Sequence, residues 1–156
     1  MLYRLYRPAD FPQLYAIEQL CFQPPFRFSR PTMQLLVTSP NSATWIAEED
    51  RQMAGFAIAE WLMEGAQTVA YIQTLEVSPS HRKRGIATEL LHRLEASATA
   101  ARAQVLSLHV AESNASAIRL YQAHGFSLRG REEDYYAPGI AAFIYSKRLD
   151  ETQENP

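Results

Sequence analysis

The apolar positions change period several times along the chain, and each change marks an element. Leu2 to Tyr6 alternates Leu, Arg and Tyr, the period of a short strand that Pro8 ends. Asp10 stands where an N-cap belongs, ahead of Phe11, Leu14, Tyr15, Ile17, Leu20 and Cys21, whose spacing follows the 3.6-residue turn of a helix. Pro24-Pro25 stops that helix, and Ser29 with Pro31 starts a second, short one over Arg30 to Val37. Three strand-like runs follow, Ala43 to Glu48, Met53 to Met63 and Gln67 to Val77, joined by the polar turn Glu49-Asp50-Arg51-Gln52 and by Glu64-Gly65-Ala66. Strands on such tight connections predict an antiparallel meander, not a doubly wound sheet.

Helical spacing returns after the break at Ser78-Pro79-Ser80. From Arg84 onward, Ile86, Leu90, Leu91, Leu94 and Ala98 share one face, out to Ala101-Arg102. Gln104 to Val110 is the next strand. Ala115 to His124 is a helix with Gly125 at its C′ position. The strands Ser127 to Tyr136 and Ile140 to Lys147 close the chain around Ala137-Pro138-Gly139, and the polar tail 150–156 is expected to fray. The fold class is therefore mixed α/β (α+β), with a single domain over 1–149.

Composition narrows the classes of function. At 156 residues, 47% apolar and 21% charged, the chain suits one core. Its 15 Lys+Arg against 17 Asp+Glu give a net charge of -2, so no global basic field points to nucleic acid. No run of apolar residues reaches the ~18 of a membrane span. The single Cys21, and an N-terminus MLYRLYRPAD without a leader-like apolar stretch, fit a soluble cytoplasmic protein. No Cys/His grouping has metal-ligand spacing, so no metal is expected.

Local chemistry is concentrated in Tyr71 to Leu91. This stretch reads as a strand, a cationic turn and a helix N-terminus, a place to hold a phosphate. In Arg82-Lys83-Arg84-Gly85-Ile86-Ala87-Thr88 the glycine and small residue let a diphosphate approach free backbone N–H groups, and the cations can meet further oxygens. The plainer reading is a solvated basic turn. Neither G-x-x-x-x-G-K-[ST] nor G-x-G-x-x-G occurs, which argues against a P-loop nucleotide and a Rossmann dinucleotide.

Arg82-x-x-Gly85-x-Ala87 after a strand, followed by Ser113-Asn114-x-Ser116-Ala117-x-x-Leu120-Tyr121-x-x-x-Gly125-Phe126, resembles the acetyl-CoA signature of the GCN5-related N-acetyltransferases (GNAT superfamily). Ile17-Glu18-Gln19, the Pro25-Phe26 loop and Tyr135-Tyr136 are similar to the RimI-like protein N-terminal acetyltransferases within it. The resemblance implies a mostly antiparallel sheet of about seven strands with about four helices, splayed between the fourth and fifth strands. It implies acetyl-CoA as cosubstrate, its diphosphate held by Arg82, Lys83, Arg84, Gly85, Ile86, Ala87 and Thr88. The cofactor arm would lie along Leu75 and Val77, with Asn114 binding it too. The Val77 N–H would polarise the thioester carbonyl, and Tyr121 would protonate the departing thiolate.

The base is left open between two candidates. RimI-type enzymes have glutamate where His109 stands here, whereas the NatE-type catalytic subunit has a tyrosine and a histidine at the positions of Tyr71 and His109 and is thought to deprotonate its amine through water. Imidazole is the side chain that titrates nearest neutrality, which suits that task, although a lone histidine among apolar strand neighbours is also an ordinary structural feature. Glu76 competes; alternation puts it opposite Leu75 and Val77 without showing which face meets substrate. An α-amine titrates roughly 2.5 units below a lysine, about 3.4 kcal/mol easier to deprotonate, so a His–Tyr pair favours a protein or peptide N-terminus as acceptor. Pro25, Phe26, Tyr135 and Tyr136 would then grip its first residues, unless Phe26 simply packs the core edge.

The remaining singled-out residues carry plainer readings: His81 a solvated turn residue, His92 a helix-surface residue, His124 a helix-end residue and Cys21 a small core residue. Competing functions are transfer to a small-molecule amine or a lysine, and a non-catalytic acyl-CoA-binding regulatory module. No nucleic-acid or membrane partner is expected, and the chain is expected to be a monomer or homodimer.

Overall fold

The computed structural model describes residues 1–149, so the expectation for the tail 150–156 lies outside the described residues. Strand β1 (Leu2–Leu5) leads through a one-turn 3-10 segment (Pro8–Asp10) to α1 (Phe11–Cys21) and α2 (Arg30–Thr38). Then come β2 (Ser42–Glu49), β3 (Gln52–Glu64) and β4 (Gln67–Val77), a second 3-10 turn (Pro79–His81) and α3 (Ile86–Ala100). The chain ends with β5 (Val105–Ala111), α4 (Ala115–Ala123), β6 (Ser127–Ala137) and β7 (Ile140–Arg148). The seven strands hydrogen-bond in the order β1-β2-β3-β4-β5-β7-β6. β1 with β2, β2 with β3, β5 with β7 and β6 with β7 pair antiparallel, and β4 with β5 is parallel, at the position of the expected splay.

Two compact units divide the chain: Met1–Glu60 with Ile72–Ser97, and Trp61–Tyr71 with 98–149 of the described residues. In the first unit, Phe11, Leu14, Tyr15 and Ile17 of α1, Met33 of α2, and Ile46, Met53, Phe56 and Ile58 of β2 and β3 form the core. The α1 stripe is the one its spacing predicts at Phe11, Leu14, Tyr15, Ile17 and the half-buried Cys21, but not at Leu20, which points to solvent at 63% exposure. The β2–β3 turn puts Asp50 and Arg51 at φ 52° and 66°, the left-handed pair of a tight two-residue hairpin. Gly55 is required by packing: a Cβ there would stand 2.5 Å from the Glu76 carbonyl oxygen and 3.2 Å from the Val77 Cα, so no side chain fits where β3 passes the end of β4. Ser29 caps α2 by accepting the Thr32 N–H.

Asp10 departs from its expected role. It adopts helical dihedrals itself and makes no side-chain cap for α1. Its carboxylate instead takes both guanidinium nitrogens of Arg4 at 2.8 Å and the Arg7 N–H at 2.7 Å. A bidentate arginine outcompetes a helix N–H for a buried carboxylate, and Asp10 is accordingly held below the usual carboxylate range, chiefly by the Arg4 hydrogen bonds.

In the second unit, Leu106, Leu108 and Val110 of β5 are buried with Tyr121, Phe126, Ala142 and Tyr145. Helix α4 ends in a Schellman motif: the Phe126 N–H reaches the Tyr121 carbonyl at 3.1 Å and the Gly125 N–H the Gln122 carbonyl at 3.3 Å. Gly125, at φ 88°, supplies the left-handed residue this motif needs. The Tyr121 and Phe126 rings meet edge to face at 5.4 Å, the hydrophobic contact that accompanies such an ending.

Candidate active site

In the first unit, the cationic turn is a backbone cradle. Lys83 and Gly85 have φ of 63° and 81°, which stops helical geometry short of Arg84, so α3 begins at Ile86 and not at Arg84 as the periodicity suggests. The Gly85 carbonyl accepts from the Glu89 N–H at 3.1 Å, and the N–H groups of Ile86, Ala87 and Thr88 form the first turn, where no intrahelical acceptor exists. Nothing lies within 4 Å of where a Gly85 side chain would start, leaving open space in front of those donors. A diphosphate fits this arrangement of dipole and N–H groups.

The three cations are not equivalent. Arg84 forks onto Glu49 at 2.6 and 3.0 Å, tying the turn to the β2–β3 hairpin. Arg82 donates to the Val77 carbonyl at 3.1 Å and reaches the Cys21 Sγ at 3.6 Å. Lys83 has no ion pair among the described residues and is the cation left for a phosphate. His81 is no solvated residue: its Nε2 lies 3.5 Å from Glu49, its side chain one-fifth exposed. Val77 ends β4, and its carbonyl also accepts from the Cys21 thiol. Cys21 is half-buried at the core edge, its thiol raised mainly by burial.

The loop after α1 is stitched down by Arg27, which donates to the Phe22 and Gln19 carbonyls, and by the Phe28 N–H, which donates to Glu18 at 2.8 Å. Phe28 packs on the core, Phe26 is half-buried and Pro25 is exposed.

Glu76 lies on the buried face of β4 with Ile72 and Thr74, opposite the half-exposed Leu75 and Val77. It is 3% exposed and meets Glu18 of α1, which is fully buried. One Glu76 oxygen accepts from Thr74 Oγ1 at 2.6 Å, and Oε1 of each carboxyl has no hydrogen-bond partner. A proton held between the two carboxyls would satisfy both oxygens. Burial first, then the neighbouring Glu18 carboxyl, pushes the Glu76 carboxyl well above its usual range. The native chain thus keeps a proton that the unfolded chain releases near the ordinary value of 4.5. This contribution to stability is complete below that value and is lost as pH rises toward the native one. Glu76→Gln, whose amide can donate to Glu18 at every pH, is expected to flatten the fall in denaturation midpoint above about pH 5 and to be roughly 1–2 kcal/mol more stable than wild type at pH 8. A parallel fall in both proteins would show that the pair holds no proton.

In the second unit, the Tyr71 hydroxyl hydrogen-bonds to His109 Nδ1, and His109 Nε2 lies 3.0 Å from Glu132 Oε1. The Tyr135 ring stacks on the imidazole at 4.1 Å and 6°, with its hydroxyl 3.5 Å from that of Tyr71. Tyr136 meets Tyr135 edge-on at 4.9 Å. The structure thus brings Tyr71, His109, Tyr135 and Tyr136 into one cluster. Burial and the neighbouring Tyr135 hydroxyl raise the Tyr71 phenol, which stays protonated; because His109 Nε2 faces a carboxylate, which can only accept, Nδ1 is left to accept from the Tyr71 hydroxyl. Tyr121 is 6% exposed, and its phenol is likewise raised by burial, then by Tyr136. Asn114 caps α4: its Oδ1 accepts from the Ala117 N–H at 3.2 Å and from Ser116, leaving Nδ2 to donate elsewhere. His124 caps the other end with Nδ1 against the Leu120 carbonyl at 2.8 Å.

Two features lie beyond sequence reasoning, the Glu18–Glu76 pair and Glu132. The first joins positions 58 apart whose only local signal is a glutamate in each of two apolar stripes. Among the described residues no helix is long and apolar enough to cross a membrane, and no cluster of metal-ligating side chains occurs.

The sequence pattern of the Acetyltransferase (GNAT) family matches residues 11–126. The chain belongs to this family. Over 114 residues it is 32% identical to the N-terminal acetyltransferase A complex catalytic subunit NAA10 of Arabidopsis thaliana, covering 71% of this chain and 59% of that protein. The chain thus spans about three-fifths of the length of that relative. Among solved structures, the ribosomal-protein-S18-alanine N-acetyltransferase of Escherichia coli superposes with a TM-score of 0.84 at 24% identity, covering 99% of this chain and 97% of that one. Arabidopsis thaliana NAA60 in complex with acetyl-CoA superposes with a TM-score of 0.85 at 23% identity, covering 96% and 99%. These two likenesses establish the GNAT fold.

Proposed function

We propose that the chain is an acetyl-CoA-dependent N-acetyltransferase that acetylates the α-amine of a protein or peptide N-terminus by direct attack in a ternary complex. The observation that carries the acceptor assignment is the Tyr71–His109–Tyr135 cluster, in which a protonated phenol already donates to an imidazole nitrogen. Family membership and a relative named as an N-terminal acetyltransferase support the same reading.

The bound cofactor supplies an activated acetyl thioester. The first turn of α3, with Lys83, would hold its diphosphate, the Val77 N–H would stabilise charge on the carbonyl oxygen, and Asn114 Nδ2 would hold the arm. Tyr71 takes the amine's proton through water while passing its own to His109 Nδ1, and Tyr121 donates to the departing sulfur. Glu76 is set aside as the base because its carboxyl is 3% exposed, faces Glu18 of α1 and is pushed by burial well above the usual carboxylate range, so it is protonated and turned away from solvent. Tyr135 and Tyr136, beside His109, are the surface for the acceptor's first residues.

Incubation with acetyl-CoA and an unbiased panel of free-amine peptides, lysine peptides and small amines, read by mass spectrometry, tests the assignment. Modification of peptide α-amines is the expected result. Turnover of small amines alone would replace the acceptor, and CoA binding without any product would make the chain a binding module.

A further inference from the structure

Three acidic residues follow one another on β6 after Arg131, and each has a different partner. Glu133 pairs with Arg131 at 3.3 Å, Asp134 accepts the Gly139 N–H at 2.6 Å, and Glu132 alone turns to His109. Glu132 and Tyr135 are three residues apart, so strict alternation would place them on opposite faces of the strand. They both reach His109 because the β6–β7 register shifts between Glu132 and Ala137, with Asp134 in the left-handed region at φ 56°. The bulge therefore aims a carboxylate at one edge of the imidazole and a ring at its face.

Which nitrogen of a neutral imidazole bears the proton is decided by the partners of the two. A carboxylate can only accept, so Nε2, 3.0 Å from Glu132 Oε1, bears the ring proton, and Nδ1 of the neutral ring is left as the acceptor facing the Tyr71 hydroxyl. We infer that Glu132 is a positioning residue for acetyl transfer: it accepts Nε2–H of His109 and so keeps the Nδ1 lone pair facing Tyr71. This inference rests on the proposed role of Tyr71 and His109. In the relay, the amine's proton passes through water to the Tyr71 oxygen as the Tyr71 proton moves to Nδ1. The resulting imidazolium carries N–H on both nitrogens, one facing Tyr71 and one facing the Glu132 carboxylate, and loses its extra proton to solvent after transfer.

The test uses the full chain with 15N-labelled histidine, the His109 signals being assigned by their loss in His109→Gln. Long-range proton–nitrogen spectra taken where the ring is neutral should show the Nε2–H tautomer in wild type. Glu132→Ala should lose that preference, whereas Glu132→Gln, whose carbonyl oxygen accepts Nε2–H, should keep it. With a free-amine peptide, kcat in Glu132→Ala should fall about tenfold with both KM values little changed, and Glu132→Gln should recover much of the loss. A wild-type tautomer in Glu132→Ala, or a KM rise at constant kcat, would overturn the inference. The spectra need no acceptor, so failure of the acetylation assay would count against the proposed function while the tautomer result still decides the role of Glu132.

Discussion

Replacing His109 with alanine is expected to lower kcat for an α-amine peptide about a hundredfold at pH 7, the lower end of what a general base contributes. The deficit should shrink as pH rises past about 8, because an α-amine then deprotonates without help. The argument is geometric before it is electrostatic. His109 is the terminus of the hydrogen bond from Tyr71, and Tyr135 covers its face, so its removal leaves the Tyr71 hydroxyl with no acceptor at that point. Tyr71→Phe should show the same pH-dependent deficit, since it removes the link between water and imidazole. A pH–rate profile of His109→Ala that superposes on wild type would remove the pair from the mechanism.

Tyr121→Phe is expected to lower kcat by a similar factor, about a hundredfold, through the other end of the reaction. The substitution deletes one buried hydroxyl and leaves the ring against Phe126, where the Schellman ending of α4 holds it. Stability and the KM for acetyl-CoA should therefore change little. Burial keeps the Tyr121 phenol protonated throughout the neutral range, so it remains a donor to developing thiolate charge. This deficit, unlike that of His109→Ala, should not be relieved by raising pH toward 9, because a higher pH supplies no proton to sulfur. Release of free thiol, followed continuously, separates the two cases; unchanged kcat in Tyr121→Phe would make that residue a packing element only.

The parts of this machinery that the sequence made legible are those built from local spacing. Gly125 four residues after Tyr121 announces the end of α4, and the end of α4 fixes the ring. Ser29 with Pro31, and the turn around Gly85, are local in the same way, although the positive φ of Lys83 and Gly85 delays α3 by two residues. What stayed hidden depends on tertiary choice. Asp10 has an N-cap's address but an arginine six residues back, on β1, reaches it first. Glu18 and Glu76 each look like a polar lapse in an apolar stripe until α1 lies against β4. Glu132 meets His109 only because a bulge breaks the alternation by which strand faces are read. Of the cations in the turn, pattern alone could not show that Arg84 is committed to Glu49 and Arg82 to the end of β4.

The central claim is that the site deprotonates and acetylates an α-amine. The most direct measurement is a comparison of kcat/KM for two matched peptides, one with a free N-terminus and its lysines blocked, the other with a blocked N-terminus and one free lysine. Mass spectrometry locates the added acetyl group. The account expects transfer to the free N-terminus to dominate at pH 7, with the difference narrowing as pH rises toward the lysine range. Equal or faster transfer to the lysine at pH 7 would contradict it.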